Sequence, residues 1–121
     1  MSAWCLGLML ALVTAALTSS IAGGHAVLQR AEPPVESKLK RAPEEVKLYF
    51  SERLEPAYSS VRVLNDRDAQ VDRRDSHIDR ANPALLRVTL PPLAPGTYKV
   101  VWRVLSIDAD VTEGTFTFRI E

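Results

Sequence analysis

Sulfur is nearly absent from this sequence, and what little there is lies at one end. The single cysteine, Cys5, and both methionines, Met1 and Met9, precede residue 10 of a 121-residue chain. One cysteine cannot form an internal disulfide, and no thiol or thioether beyond Met9 is left to hold a soft metal. Excess charge is lacking too, since fifteen Lys and Arg balance fifteen Asp and Glu. A neutral balance and the lack of a phosphate-binding glycine loop argue against a nucleic acid or nucleotide partner. The only histidines are His25 and His77, and once residues 1–24 are removed, with one non-terminal histidine and no cysteine left, no Ser-His-Asp or Cys-His catalytic arrangement is expected.

What is present begins with an apolar segment. Ala3 to Ile21 carries no charged side chain and runs into the small residues Ala22, Gly23 and Gly24. This pattern predicts a signal peptide over residues 1–24, with Ala22 and Gly24 placed for a cut that makes His25 the new N-terminus. Met1 to Trp4 lack the usual Lys or Arg, which leaves an uncleaved anchor as the alternative. Residues 25–121 then form one domain of modest core size that carries every charged side chain of the chain. A cysteine-free exported domain with no membrane span after cleavage suits the bacterial periplasm.

Short runs rich in β-branched and aromatic residues recur between Pro, Gly and Asp: Ala26 to Leu28, Val46 to Phe50, Ser60 to Leu64, Leu85 to Leu90, Tyr98 to Ser106 and Thr115 to Ile120. No segment sustains a helical period. The fold class predicted is all-β, a single immunoglobulin-like antiparallel β-sandwich of about seven strands. A weaker seventh strand falls near Gln70 and Val71, within a polar stretch from Asn65 to Asn82 expected to be a mobile hairpin or loop. Val61 and Val63 alternate with Arg62 and Leu64, and Phe116, Phe118 and Ile120 with Thr115, Thr117 and Arg119, so the first set of each should face the core. Leu93-Ala94-Pro95-Gly96-Thr97-Tyr98 looks like a tyrosine corner, and Trp102 shares a strand face with Tyr98 and Val100 as a core residue.

A histidine at a free N-terminus offers imidazole and α-amine nitrogens that close a chelate ring on one ion. Cu(II) favours such nitrogen and oxygen sites and heads the divalent affinity order. Asp108-Ala109-Asp110, after the long strand, could bring two carboxylates to the same point. The plainer reading is a strand-end turn in which Asp bonds its own backbone. Arg103 is then the natural partner to neutralise the carboxylates. His77, in Asp75-Ser76-His77-Ile78-Asp79, is either a solvated loop histidine or a second imidazole reached by folding of the polar loop.

The same pieces, in order, resemble the CopC family of periplasmic copper-binding proteins over essentially all of residues 25–121. His25-Ala26-Val27-Leu28 with Pro33-Pro34 resembles the family's opening. Leu48-Tyr49-Phe50-Ser51-Glu52 resembles its LxFSE segment, the stretch Leu93 to Ser106 its most recognisable part, and Gly114-Thr115-Phe116-Thr117-Phe118 its closing strand. The resemblance implies Cu(II) held by His25 and Asp108 and near Glu52. Where the family has a histidine, this chain has Asp110, which should weaken Cu(II) binding and let Zn(II), Ni(II) or Mn(II) compete. Family members that hold Cu(I) use a methionine-rich loop, which residues 25–121 lack.

The metal residues expected are therefore His25, Asp108, Asp110 and Glu52, with copper as the ligand. The resemblance implies a Cu(II) carrier or buffer in copper homeostasis or resistance, with a CopD-like inner-membrane copper transporter as partner and a monomer as the expected state. The alternative is a CopC-like sandwich that has lost tight copper binding and acts as an interaction or structural module. Copper-dependent polysaccharide oxidation also uses an N-terminal histidine, but it needs a second histidine on the same ion and an extended substrate surface, so an enzyme is not expected.

Overall fold

The computed structural model describes residues 25–121, so the signal segment predicted over 1–24 lies outside the described residues. The eight strands are β1 (Leu28–Glu32), β2 (Lys38–Leu39), β3 (Glu45–Phe50), β4 (Ser60–Leu64), β5 (His77–Ile78), β6 (Leu85–Thr89), β7 (Gly96–Leu105) and β8 (Val111–Ile120). They form two four-stranded sheets, ordered β1-β3-β6-β5 and β2-β8-β7-β4. Every pairing is antiparallel except that of the two-residue β2, which adds to β8 in parallel. The predicted sandwich is present, and five of the six expected runs fall on β3, β4, β6, β7 and β8, whereas the first, Ala26 to Leu28, meets β1 only at Leu28. Gln70 contributes only an isolated bridge to Leu64.

Period-two patterning makes the core. Val46, Leu48 and Phe50 of β3 face Val61 and Val63 of β4, Val100 and Val104 of β7, and Phe116, Phe118 and Ile120 of β8, all buried between the sheets. Tyr98 stacks on Phe118 at 5.6 Å and donates its hydroxyl to the Ala94 carbonyl at 2.6 Å, which is the tyrosine corner expected at the head of β7. Trp102 packs between Phe50 and Phe116 with ring centres 6.2 Å from each. Gly114 pairs with Trp102 across β7 and β8, and the indole lies over the place a Cβ would occupy. Leu64 departs from the expected alternation. It is buried where the strand ends against the bridge from Gln70.

The polar stretch after β4 is, of the two forms expected, largely a loop. It runs as a strap along the open edge of β4, fastened by side chains to the backbone groups that a sheet edge leaves unpaired. The buried Asp72 accepts from Val63 N–H at 2.8 Å, and Ser76 Oγ accepts from Val61 N–H at 2.9 Å. Asp75 accepts from the hydroxyl and N–H of Thr89. Asp79 accepts from Arg87, which also forms a two-pronged pair with Glu45, through Nη2 at 2.8 Å and Nε at 3.1 Å. Paired and capping, these polar side chains fasten the segment to both sheets.

These bonds set an acid limit. The Thr89 hydroxyl holds Asp75 below the ordinary aspartate value of 3.8, and the Arg87 guanidinium does the same for Asp79. A carboxylate with a depressed folded pKa stabilises the fold above its unfolded value, and that contribution is lost as pH falls through the folded one. The melting temperature should thus fall as pH drops below about 3.8, with the strap loosening. Asp75→Asn with Asp79→Asn should melt lower than the parent near neutrality and show a flatter acid branch. Parallel acid branches would show that the two aspartates do not carry the effect.

Candidate metal centre

One end of the sandwich gathers the N-terminal segment, the β3–β4 connection and the β7–β8 turn. Ala26 is 2% exposed and plugs the core at this end. Its carbonyl accepts from Thr112 Oγ1 at 2.9 Å. On either side, Val27 N–H donates to Ser51 Oγ at 2.8 Å, Ser51 N–H donates to the Val27 carbonyl at 2.9 Å, and Ser51 Oγ lies 3.4 Å from the His25 carbonyl. The segment is clamped between Ser51 and Thr112, which puts His25 one residue outside the core, beside the segment carrying Glu52 and near the start of β8.

The β7–β8 turn is built by a different serine. Ser106 is fully buried; its N–H donates to the Asp110 carbonyl at 3.0 Å, and its own carbonyl accepts from Ala109 N–H at 2.9 Å. Asp110 N–H donates to Ser106 Oγ at 3.3 Å. Ala109 sits at φ 71, a left-handed turn position. The backbone of the turn is thus closed without using either aspartate side chain, contrary to the plainer reading of Asp108 and Asp110 as self-bonding turn residues. Strand β8 starts at Val111, four residues before the run read from the sequence, so Asp110 abuts the strand.

Asp108 is exposed, Glu52 and Asp110 are half-buried, and His25 is exposed. None of these four side chains makes a hydrogen bond or ion pair among the described residues. Arg103 does not neutralise them. Its guanidinium pairs with Glu113 at 2.7 Å, across the β7–β8 ladder. Nor does His77 reach them: it is fixed in β5, on the sheet edge opposite β1, with Nδ1 2.8 Å from the Asp75 carbonyl. Among the described residues no three His, Cys, Asp or Glu side chains converge tightly enough to enclose a metal ion. The backbone assembles the segments, and the side chains stand apart.

Sequence reasoning missed Ser51, Thr112 and Ser106, the residues that position this end. A search for metal donors passes over hydroxyls. The signal available was a small polar residue next to each candidate ligand: Ser51 before Glu52, and Ser106 and Thr112 flanking the aspartates.

The family model for the CopC domain matches residues 28–121. The chain belongs to the CopC family. Copper resistance protein C of Pseudomonas syringae pv. tomato is 29% identical over 111 residues, covering 87% of each chain. Copper transport protein CutJ of Bacillus subtilis is 30% identical over 118 residues, which is 97% of this chain but only 21% of CutJ. The crystal structure of CopC from Methylosinus trichosporium OB3b superimposes with a TM-score of 0.74 at 33% identity, covering 80% of this chain and 94% of that one. Copper resistance and copper transport are named for these relatives, and this CopC-family chain shares the sandwich architecture of the solved one.

Proposed function

We propose that residues 25–121, released from a signal peptide over residues 1–24, are a monomeric periplasmic Cu(II) carrier or buffer in copper homeostasis. The observation that carries this reading is the clamp on Ala26, which fixes His25 at the same end of the sandwich as the segments bearing Glu52, Asp108 and Asp110, whose carboxylates have no partner among the described residues. A cut after Gly24 frees the α-amine of His25 to chelate with the imidazole. Asp108, Glu52 and Asp110 supply oxygen. Such a donor set suits Cu(II) and leaves nothing soft for Cu(I). The α-amine, with an ordinary pKa of about 8, must lose its proton on binding, so affinity falls as the medium acidifies.

The family supports a CopD-like inner-membrane transporter as the acceptor. CutJ supports it too, because a copper transport protein there carries a CopC-like stretch as 21% of its length. The open arrangement of the four side chains favours a second reading, a sandwich that has lost tight copper binding and serves as an interaction module. Titrating processed parent and Asp110→His with Cu(II), followed by Trp102 fluorescence, separates the two. Replacing a carboxylate by an imidazole should tighten a firm parental site by about tenfold, or roughly 1.4 kcal/mol. A parent without measurable binding, rescued only by the histidine, would establish the second reading.

A further inference from the structure

Beside the metal end lies a cleft of about 570 Å³, lined by the β3–β4 connection, by β5 with the connection after it, and by Ile107, whose N–H donates to the Arg53 carbonyl at 3.1 Å. Arg53 and Arg80 line it from these two separate connections, and His77 joins them from β5. Neither arginine makes an ion pair among the described residues. Of the two carboxylates in the lining, Asp79 is already taken by Arg87 and by the N–H groups of Ala81 and Asn82, which leaves Glu55 as the only opposing charge. Between the charges lie Pro56, Pro83 and an Ile107 that is 48% exposed. A cleft of this size exceeds what a simple inorganic ion fills and falls in the range that takes an organic ligand or several residues of chain.

We infer that this cleft docks an extended acidic segment of a partner protein, with carboxylates on Arg53 and Arg80 and an apolar side chain against Ile107, Pro56 and Pro83. Two guanidiniums supplied by separate connections suit carboxylates carried at intervals along a chain, which a single small anion does not offer. Position adds a consequence. Arg53 follows Glu52 directly and Ile107 precedes Asp108, so an occupant rests against both segments that carry the carboxylates of the metal end. The site would hold a partner within reach of that end. Docking does not require metal, so its test is independent of the copper reading.

The experiment is fluorescence anisotropy of metal-free residues 25–121 with a short fluorescein-labelled peptide of alternating Glu and Leu, set beside the matching Lys and Leu peptide. The acidic peptide should bind, weaken with salt, and shift the amide resonances of Ile107 and His77; the basic one should not bind. Arg53→Ala and Arg80→Ala should each lower affinity by about tenfold, whereas Arg62→Ala, on the outer face of β4, should leave it unchanged. Ile107→Asp, an exposed substitution that places a like charge in the cleft, should abolish binding. Absence of binding, parental affinity retained in the two arginine variants, or displacement by free glutamate or inorganic phosphate as effective as the peptide itself would overturn the proposal.

Discussion

One extra residue ahead of His25 should lower the Cu(II) affinity of residues 25–121 by at least about a hundredfold, or roughly 2.7 kcal/mol. The extension converts the terminal amine into an amide, which removes one nitrogen donor and the chelate ring it closes with the imidazole. Losing even an outer-shell partner costs a metal site about 10–100-fold, so loss of a direct donor should reach or pass the upper figure. The fold has no stake in the change, because the anchoring bonds begin at the His25 carbonyl and the buried Ala26. Thermal melting of the metal-free forms should therefore coincide while their copper titrations separate. Acetylating the amine should reproduce the loss. Equal copper affinity in the extended and processed forms would refute the proposed chelate.

Gly114→Ala should be the most damaging single-methyl change in the domain. A Cβ at this position would overlap the six-membered ring of Trp102, so the indole must leave its place between Phe50 and Phe116. Overpacking of this kind costs about 1–3 kcal/mol. For a domain of this size each kcal/mol moves the melting temperature by about 4–8 °C. The indole would also become wetter, so a red shift of Trp102 emission should accompany the lower melting temperature. Thr115→Ala, one residue along and pointing to solvent, should change stability by no more than about 0.5 kcal/mol. A Gly114→Ala variant as stable as that control, with unshifted emission, would show that the ring can move at little cost.

The sandwich was legible because its strands carry their burial in a period of two. Phe116, Phe118 and Ile120 announce an inner face whatever surrounds them. Tyr98 was legible through the Pro and Gly before it. The strap over β4 was not, because the physical event there is the capping of open backbone groups by Asp72, Ser76 and Asp75, and composition does not reveal which polar residues find partners. Leu64 was misplaced for the same reason, since its neighbours come from that strap. At the metal end, the candidate ligands could be named from their chemistry and from a family resemblance. The clamp on Ala26 could not, because Ser51 and Thr112 meet it from the end of β3 and the start of β8, far apart in the chain.

In the β7–β8 turn, Ser106 and the left-handed Ala109 set the backbone, and the aspartates on either side of Ala109 leave their side chains idle. Foldability and chemistry are therefore written in different letters of the same short segment. A substitution at position 110 can change the group that the turn presents while the serine beneath keeps the turn in place. Under the proposed function, such a change falls on the cargo and leaves the scaffold untouched.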